Sequence, residues 1–521
     1  MVDYSLYLVT DSTPAILGDR DICDVVGRAL RGGVTIVQYR DKTSDTGVLI
    51  STARKLHQIT QRYNVPLLIN DRVDVALAVG CEGVHLGQDD MDIATARALL
   101  GSDKFIGIST NTVAEAVMAC EHGADYLGIG TVFSTETKKN VKGIIGPDGL
   151  KRILHALGEK GHEGVPTVCI GGIKASNIPQ VLFRGCSQIK LLDGVAVVSA
   201  IVGAPDPEAE SRRLLDLVRR TLALRQRSRS EYSAAVTKEG ILRLVPGVIK
   251  AVHEQKPLSH NMTNLVVQNF AANVALAVGA SPIMANYGEE AADLAKIGGA
   301  LVINMGTVTP EGLENYEKAL RAYNTAGRPV VFDPVGAGAT AVRRAAVKAI
   351  LSTGHIDVIK GNESEIRTVF DSDDAEGQRG VDSSSMLTLP EKVHLVRELA
   401  AREEAVVVMT GRTDIISDGA RTVAVDNGHE YLGMITGTGC TLGTTISAMV
   451  AATAPGRDRL AAVVAGVLLF EIAAEQAALK GSVEGPGSFV PAFLDSLYRL
   501  RAGTASGYIE WLAAEKLSWA L

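Results

Sequence analysis

Apolar runs of strand length recur along the first two fifths of the chain, and each is followed by a stretch with helical character. Eight such runs occur between residues 5 and 201: SLYLVTD, TIVQYRD, VPLLIND, GVHLGQDD, FIGIST, YLGIGTVF, PTVCIGGI and GVAVVSAI. Strands that are apolar on both faces and alternate with helices are typical of a parallel sheet. Eight of these units in about 200 residues predict a compact (β/α)8 barrel.

Polar residues stand where these strands end. In a (β/α)8 barrel all carboxyl ends of the strands share one mouth, which is where barrel enzymes carry out chemistry. The residues at these ends are Gln38, Arg40, Lys42, Asn70, Asp71, Gln88, Asp89, Asp90, Ser109, Thr135, Thr137 and Lys138. The carboxylates of Asp71 and Asp90 suit Mg²⁺, which prefers a few carboxylates plus phosphate oxygens. Arg40, Lys42 and Lys138 could hold the same polyphosphate.

The last two strands end differently, in the glycine pair 171–172 and in the segment VVSA (197–200). Loops after strands seven and eight are the usual phosphate site of such barrels, and small residues let backbone amides approach an anion. Any one of these polar residues could instead be a strand-end cap or a surface ion pair. We interpret Asp89 as a solvated neighbour of the site and His85, inside its strand, as a packed residue.

These strings resemble thiamine-phosphate synthase over residues 5–220, and those that carry the resemblance are QYRDK, IND, VHLGQDD, STETKK, CIGGI and DGVAVVSAI. That family couples a hydroxymethylpyrimidine diphosphate to a thiazole phosphate and releases pyrophosphate. The resemblance implies that Asp71 and Asp90 hold Mg²⁺. It places around the pyrimidine and the leaving group Gln38, Lys42, Asn70, Ser109 and the catalytic residues Arg40 and Lys138. It places on the thiazole phosphate Thr135, Thr137, Gly172 and the amides near Val197 and Val198.

A polar stretch, RQRSRSEYSAA, separates two halves with different motifs, and it reads as an exposed linker. The predicted domains are 1–224 and 238–521, with a linker at 225–237. In the second half the predicted strands are 281–285, 300–306, 329–335, 357–362 and 405–411, followed by a hairpin over 414–428. Helical stretches separate the earlier strands, which predicts an open α/β sheet with ligands beyond the strand carboxyl ends. The acidic, polar segment 371–385 is predicted to be a mobile surface insertion.

The strand ends of the second half carry another set of polar and glycine residues. They are Asp333, Lys360, Asn362, Glu365, Thr410, Gly411 and the segment Gly437–Gly439. Asp333 and Glu365 are candidate Mg²⁺ ligands, directly or through water, and Lys360 and Thr410 suit ATP phosphates. Amides of Gly437–Gly439 at a helix start would hold the phosphoryl group in flight. No G-K-[ST] follows, so this is not a Walker A loop.

This set resembles hydroxyethylthiazole kinase over residues 240–515 on the strings SHNMTNLVVQNFAANVALAVGASPIMA, DPVGAGAT, KGNESEI and TGTGC. The resemblance implies a ribokinase-like domain, ATP as co-substrate, Met284 and the NMTN segment against the thiazole, and trimers with each thiazole site at a subunit interface. Two positions depart from the family. Lys360 stands where relatives often carry arginine, which keeps the positive charge but loses the forked geometry of the guanidinium. Met434 stands where a lysine is common, so we expect one contact to a phosphate to be missing.

Cys440 follows the glycines, where ribokinase-like enzymes usually place an aspartate base. A helix N-terminus lowers the pKa of a thiol, so a thiolate could take the proton from the attacking hydroxyl. Alternatively, Cys440 is a small filler that leaves room for the hydroxyl while positioning and Mg²⁺ promote the transfer. The sequence leaves both interpretations open.

The net charge and the cysteine pattern limit the classes of partner and the cellular compartment that we expect. The net charge is −7 without a long basic run, which argues against nucleic acid or an anionic membrane as partner. Six cysteines form no C-x-x-C pair, and the first residues lack the pattern of a signal peptide, so the expected location is the cytoplasm. The apolar run AAVVAGVLLF (461–470) is shorter than the roughly 20 residues of a membrane helix.

The fold class that results is α/β, with an N-terminal (β/α)8 TIM barrel joined to a C-terminal ribokinase-like α/β domain. The kinase half would phosphorylate the thiazole alcohol with ATP, and the barrel half would consume the product, so the two interpretations support each other. Two alternatives are a thiazole-phosphate tautomerase barrel fused to a small-alcohol kinase, and a non-enzymatic sensor of thiamine phosphate. The joint diphosphate and metal residues favour the pair of enzymes, which we expect to form a homo-oligomer built on kinase trimers.

Overall fold

The structure is a computed structural model that describes residues 2–135, 143–187, 189–231, 237–371, 387–453 and 458–520, without the side chains of 224–231. Thr137, Lys138 and nearly all of the predicted insertion at 371–385 lie outside the described residues. The chain divides into two compact units, Met1–Leu222 and Ala223–Leu521. Each unit is described by itself below.

In the described part of the first unit, eight parallel strands close into a barrel in which each strand pairs with the next and β8 pairs with β1. The strands are β1 (Leu6–Val9), β2 (Ile36–Tyr39), β3 (Leu67–Asn70), β4 (Gly83–Leu86), β5 (Phe105–Thr110), β6 (Tyr126–Ile129), β7 (Thr167–Cys169) and β8 (Gly194–Val197). The helices are α1 (Pro14–Leu17), α2 (Ile22–Arg31), α3 (Thr46–Arg62), α4 (Val73–Val79), α5 (Ile93–Leu100), α6 (Val113–Glu121), α7 (Gly146–Glu159), α8 (Ile178–Arg184), α9 (Ser199–Val202) and α10 (Pro207–Glu231). The predicted (β/α)8 barrel is confirmed.

Alternating residues of the barrel strands belong to two separate clusters of buried side chains. Leu6 and Leu8 of β1 pack in the large cluster that joins strands and helices. Tyr7 and Val9, one position along, belong to a smaller cluster with inward residues such as Tyr126. Because successive side chains of a strand point to opposite faces, the smaller cluster fills the barrel interior.

Helix starts in this unit follow local capping chemistry. Thr112 and Glu115 form a capping box at the start of α6, and the Asp92 carboxylate accepts a hydrogen bond from the backbone N–H of Thr95 in α5. These caps satisfy amide groups that have no partner inside the helix. They fix where each helix begins and therefore how long the loop after each strand is.

The second unit is built on a nine-stranded sheet in the order β10-β9-β11-β12-β13-β14-β15-β16-β17. Its strands are β9 (Leu258–Met262), β10 (Ser281–Ile283), β11 (Ala300–Asn304), β12 (Val330–Asp333), β13 (Val358–Asn362), β14 (Val406–Thr410), β15 (Asp414–Ser417), β16 (Thr422–Val425) and β17 (Leu517–Trp519). Pairing is parallel from β10 to β14 and antiparallel from there to β17, which confirms the predicted open sheet and hairpin.

Helices cover this sheet, and buried residues on its two faces form separate clusters. The helices are α11 (Lys238–Gln255), α12 (Gln268–Val278), α13 (Ala291–Ile297), α14 (Pro310–Thr325), α15 (Ala341–Thr353), α16 (Glu363–Asp371), α17 (Leu389–Glu403), α18 (Thr438–Ala452), α19 (Arg459–Ala478) and α20 (Pro486–Ala505). Short 3-10 helices occupy Gly288–Glu290, Glu430–Met434 and Glu510–Ala514.

Strand β9 lies between β10 and β11 and was not among the predicted strands. Its polar residues bind α18: the Ser259 and Ser447 hydroxyls are 2.7 Å apart, and the Thr444 hydroxyl donates to Asn261 Oδ1 at 2.7 Å. Buried polar groups tolerate such a position only when they are hydrogen-bonded. Hydrophobic periodicity cannot detect a strand held in this way.

Helix α19 is longer than the ten-residue apolar run noted in the sequence, because it extends from Arg459 to Ala478. By length and composition alone it could cross a membrane, and 89% of its apolar window is buried inside the protein. A helix that is apolar on all sides and buried is typical of the core of a large domain. Helix α10 extends to Glu231, so the first part of the predicted linker, 225–237, is helical.

Candidate active sites

Asp71 and Asp90 meet at the barrel mouth, where their carboxyl groups share a hydrogen bond. Burial raises the pKa of Asp71, and the neighbouring Asp90 raises it further. Burial alone would raise the pKa of Asp90, but hydrogen bonds from Asp71 and from the Gly87 amide, at 2.7 Å, lower it. Two carboxyl groups in contact concentrate negative charge, and such a place fits a divalent cation.

The backbone of Asp71 is held in an uncommon conformation. Its φ angle is +63°, and its N–H donates to the His85 carbonyl oxygen at 2.9 Å. Left-handed backbone at a residue other than glycine costs energy and is concentrated at functional sites. The Lys42 ammonium forms an ion pair with the Asp71 carboxylate, so one cation already faces the acidic pair.

Arg40 is oriented by an acid that the sequence analysis did not single out. Its Nη1 lies 3.0 Å from Oδ2 of Asp11, which is buried at the end of β1. Asp11 also accepts from the backbone N–H of Thr13 at 2.9 Å. A carboxylate fixed in this way holds the guanidinium at the mouth, where Arg40 keeps donors for a phosphate.

The remaining predicted pyrimidine residues lie on the inner face of the barrel. Gln38 is buried on β2 and donates through Nε2 to the Tyr7 hydroxyl at 2.8 Å. Ser109 on β5 has its hydroxyl 2.9 Å from His85 Nε2. Asn70 ends β3 and pairs in register with His85 of β4. His85 is buried, in agreement with its interpretation as a packed residue.

Loops after β6 and β7 come together near the predicted thiazole phosphate residues. Gly172 has a φ angle of +66°, and a Cβ at this position would lie 2.6 Å from the carbonyl oxygen of Ser134, next to Thr135. Only glycine permits this close approach. Val197 ends β8, and Val198 is the residue before α9.

In the second unit, Lys360 and Asp333 form a buried ion pair at the ends of β13 and β12. Lys360 Nζ lies 3.2 Å from Asp333 Oδ1 and 2.9 Å from the Gly439 carbonyl oxygen. Burial lowers the pKa of Lys360, but Asp333, Cys440 and Glu365 together raise it more. Burial also raises the pKa of Asp333, and Lys360 opposes that shift.

Asn304, at the end of β11, joins the members of this site. Its Nδ2 donates to Asp333 Oδ2 at 2.8 Å, and its Oδ1 accepts from Asn264 Nδ2 at 3.1 Å. A hydrogen bond from Asn304 also acts on the Cys440 thiol. The amide therefore ties the predicted NMTN segment to the predicted phosphoryl site.

Glu365 binds two backbone turns. Its Oε1 accepts from the Gly336 N–H at 2.9 Å, and its Oε2 accepts from the Asn362 N–H at 2.8 Å. Both oxygens are thus committed to amides of the loops after β12 and β13. This arrangement favours contact with a metal ion through water rather than directly.

Cys440 lies in the first turn of α18. A helix start lowers the pKa of a thiol, but burial raises the pKa of Cys440, and Asp333 raises it further. Lys360 and Asn304 act in the opposite direction without reversing the shift. The thiol form is therefore favoured at neutral pH, which favours the filler interpretation of Cys440 over the thiolate base.

Gly437 precedes α18 with a φ angle of +94°, and a Cβ there would lie 2.5 Å from Val267 Cγ2. The backbone N–H groups that follow Gly437 lie in the first turn of α18, and the start of a helix favours an anion. Thr410 ends β14 in register with Asn362. Met284 follows β10 and is half-buried.

Among the described residues, no group of three or more His, Cys, Asp and Glu side chains could hold a metal ion by itself. Mg²⁺ commonly binds one or two carboxylates together with substrate phosphates, so acidic pairs such as Asp71 and Asp90 remain suitable. Asp11 and Asn304 were missed by the sequence analysis although both end strands, and the strand-end rule applied to β1 and β11 could have found them.

The two units match two family models. The first half matches thiamine monophosphate synthase over residues 6–201. The second half matches the hydroxyethylthiazole kinase family over residues 249–503.

Two relatives that align with nearly the whole chain combine both halves in one protein. The "Probable thiamine biosynthetic bifunctional enzyme" of Schizosaccharomyces pombe is 41% identical over 522 residues, which cover 99% of this chain and 98% of the relative. The "Thiamine biosynthetic bifunctional enzyme" of Saccharomyces cerevisiae is 38% identical over 527 residues, which cover 96% of each chain. A "Hydroxyethylthiazole kinase" of Moorella thermoacetica is 46% identical over 250 residues, 48% of this chain and 90% of the relative.

Proposed function

The chain belongs to the family of thiamine biosynthetic bifunctional enzymes, and on this premise we propose which residues serve each reaction. Its second unit is a hydroxyethylthiazole kinase, which uses ATP as co-substrate, and its first unit is a thiamine-phosphate synthase. The alternatives of a tautomerase barrel and of a non-enzymatic sensor find no support among the relatives.

In the kinase reaction the oxygen of the thiazole alcohol forms a bond to the terminal phosphorus of ATP, the bond from that phosphorus to the ADP oxygen breaks, and the hydroxyl proton passes to solvent as ADP leaves. Lys360 carries positive charge beside the start of α18, where it neutralises charge on the transferring group. Amides from Gly437 onward bind the phosphoryl oxygens, and Thr410 contacts ATP phosphates. Met284 packs against the thiazole ring. The contacts of Lys360 with Asp333 and with the Gly439 carbonyl support this assignment.

Cys440 serves the kinase as a small positioning group. Its buried thiol is favoured over the thiolate, so it is a poor base at neutral pH. Phosphoryl transfer through a loose transition state depends mainly on alignment and charge stabilisation. The thiol leaves room for the substrate hydroxyl near Asp333, whose charge acts on Cys440.

In the synthase reaction the bond from the pyrimidine methylene to oxygen breaks, and pyrophosphate leaves with the electron pair. The thiazole nitrogen then forms the new C–N bond and carries no proton to lose, so no general base is required. Charge grows on the leaving group, where Arg40, Lys42 and Lys138 act. The Arg40 ion pair with Asp11 supports this role, because it fixes the guanidinium before substrate arrives.

Substrate recognition in the barrel is divided between two sides of the mouth. Gln38, Asn70 and Ser109 recognise the pyrimidine. The thiazole phosphate binds at the residues near the later strands, which are Thr135, Thr137, Gly172, Val197 and Val198. The close approach of Gly172 to Ser134 supports this assignment.

Mg²⁺ fits the barrel mouth because Asp71 and Asp90 place two carboxyl groups in contact. When bound there, the ion supplies positive charge to the departing diphosphate. In the kinase, Asp333 and Glu365 already bind protein donors, so these two residues would hold a metal ion through water.

We propose that the enzyme is a homo-oligomer built on kinase trimers in the cytoplasm. Leu265 and Val266 support the first part, because they are 81% and 76% exposed and follow Asn264 of the site. Exposed apolar side chains beside a site are typical of an interface. The six cysteines, all free thiols, support a reducing compartment.

The observation that carries the assignment is the meeting of charged strand-end residues in each unit, at Asp71 with Asp90 and at Asp333 with Lys360. Two assays on the full-length chain test it. ADP formation should require the thiazole alcohol. Pyrophosphate release should require both the pyrimidine diphosphate and the thiazole phosphate, and EDTA should abolish it. Consumption of the thiazole phosphate without the pyrimidine would instead indicate a tautomerase, and absence of both reactions a sensor.

A further inference from the structure

A chain of four hydrogen bonds crosses the interior of the barrel. Gln38 Nε2 donates to the Tyr7 hydroxyl at 2.8 Å, and the hydroxyls of Tyr7 and Tyr126 are 2.7 Å apart. The Tyr126 hydroxyl lies 2.7 Å from His85 Nδ1, and His85 Nε2 lies 2.9 Å from Ser109 Oγ. The chain joins five strands, and its two ends are residues assigned above to the pyrimidine.

Two glycines on the inner face make room for the rings of this chain. A Cβ at Gly107 would lie 2.0 Å from Cζ of Tyr126, and a Cβ at Gly128 would lie 3.0 Å from Cε1 of His85. Tyr7 and Tyr126 are buried almost completely. The rings are therefore held in place by packing as well as by hydrogen bonds.

The positions of the protons in this chain follow from its first bond. Burial raises the pKa of Tyr7 and of Tyr126 far above the usual range, so both hydroxyls keep their protons. Tyr7 accepts from Gln38, and within the described residues the one acceptor for its own proton is the Tyr126 oxygen. A buried hydroxyl that does not donate is costly, so Tyr7 donates to Tyr126.

The order of the protons continues to the other end of the chain. Tyr126, having accepted from Tyr7, donates to Nδ1 of His85. A neutral imidazole that accepts at Nδ1 carries its proton at Nε2, so His85 donates to Ser109 Oγ. Ser109 then keeps its own O–H for another acceptor. At the first end, Gln38 donates through Nε2 and keeps Oε1 as an acceptor.

We propose that Tyr126 and His85 are positioning residues that order these protons, so that the site offers an acceptor at Gln38 and a donor at Ser109. This pattern is complementary to an aminopyrimidine, in which an amino N–H donor stands beside a ring nitrogen that accepts. It opposes the oxo analogue, in which the carbonyl accepts and the adjacent ring N–H donates. The inference rests on the proposed synthase function and adds the origin of its selectivity.

The test compares kcat/KM for the amino and the oxo pyrimidine diphosphates in the full-length chain, with thiazole phosphate supplied. Wild type should prefer the amino substrate by about 10⁴-fold, as expected for a site that would leave buried polar groups unpaired against the analogue. In Tyr126→Phe the hydroxyl that donates to His85 Nδ1 is lost, so the imidazole can carry its proton at Nδ1 instead of Nε2. The Ser109 hydroxyl can then donate to Nε2, and its oxygen can accept a hydrogen bond from the ligand. The preference should fall at least tenfold, partly through faster reaction of the oxo analogue.

Tyr4→Phe is the matched control, because Tyr4 belongs to the same cluster, its ring lies 5.4 Å from that of Tyr126, and the substitution also removes one tyrosine hydroxyl. It should leave the preference unchanged. Should Tyr126→Phe not fold, Tyr7→Phe breaks the same order from the Gln38 side and should lower the preference likewise.

A higher kcat/KM for the oxo analogue in Tyr126→Phe than in wild type cannot come from structural damage alone, and it supports the inference. An unchanged preference in the tyrosine variants overturns the inference and leaves the synthase function standing. Failure of wild type to release pyrophosphate from the amino substrate overturns the function itself, and the inference with it. Kinase activity measured on the same samples reports the amount of active chain.

Discussion

Lys360 Nζ contacts Asp333 Oδ1 at 3.2 Å and the Gly439 carbonyl oxygen at 2.9 Å, directly before Cys440. One buried cation thus joins the ends of two strands to the start of α18. Its charge is oriented before any substrate binds, which is how electrostatic stabilisation of a transferring phosphoryl group is achieved.

Lys360→Met should lower the kinase kcat by roughly 10²–10³-fold, because it removes this charge. It also leaves the buried Asp333 without its charged partner, at a cost of about 3–5 kcal/mol in the free energy of unfolding. Lys348→Met, at an exposed position on α15, is the matched control. Synthase activity from supplied thiazole phosphate should be normal in both variants, and a near-normal kinase rate in Lys360→Met would show that the charge is not used.

Asp71→Asn should weaken the dependence of the synthase on Mg²⁺. Loss of one of the two touching carboxylates should raise the Mg²⁺ concentration for half-maximal rate at least tenfold, and excess Mg²⁺ should recover part of the rate. Asp89→Asn makes the same change in charge on an exposed neighbour and should leave the rate within about threefold. Equal responses of the two variants would mean that Asp71 acts only through general electrostatics.

Cys440→Ser should keep the kinase kcat within about tenfold of wild type, since a general base typically contributes 10²–10⁴-fold and a neutral thiol is not one. The dependence of the kinase kcat on pH tests the thiolate mechanism independently. A catalytic thiolate would make kcat increase with pH toward the raised pKa of Cys440, and serine would remove that increase. A loss beyond about 100-fold at unchanged KM would restore the thiolate mechanism.

The sequence was sufficient for both folds, and it marked the strand ends that carry the candidate site residues, because the relevant signals are local. Runs such as VPLLIND show a buried strand and its polar end together, and the meeting of Asp71 with Asp90 follows from barrel closure. Strand β9 was missed because Ser259 and Asn261 are polar, and only their bonds to α18 explain their burial.

The pKa of Cys440 and the hydrogen-bond chain through Tyr126 depend on distances between segments far apart in sequence. A helix start predicts the sign of one contribution to a thiol pKa, but burial beside Asp333 outweighs it. Likewise, Tyr7 and Tyr126 are 119 positions apart, and no local pattern marks two tyrosines whose hydroxyls meet inside a barrel.

Glu471 of α19 and Asp414 of β15 form a buried carboxyl pair, and within the described residues neither Glu471 Oε2 nor Asp414 Oδ2 has another hydrogen-bond partner, so a protonated Glu471 can donate to Asp414. Burial raises the pKa of Glu471 well above 4.5, and Asp414, Glu475 and Asp426 raise it further. The native state therefore keeps a proton that the unfolded chain releases, so the free energy of unfolding falls as the pH rises above about 4.5, toward the raised pKa.

Glu471→Gln removes this pH-dependent loss while its amide can still donate to Asp414. At pH 8 the variant should be more stable by about 1–3 kcal/mol, which raises the unfolding temperature by about 2–4 °C per kcal/mol for a unit of this size. Toward pH 5 the difference should shrink. The measurement is the temperature at which half the kinase activity of the full-length chain is lost after fixed heating, with exposed Glu484→Gln as control. A variant less stable than wild type at pH 8 would mean that the pair is held by something other than a shared proton, such as a bound cation.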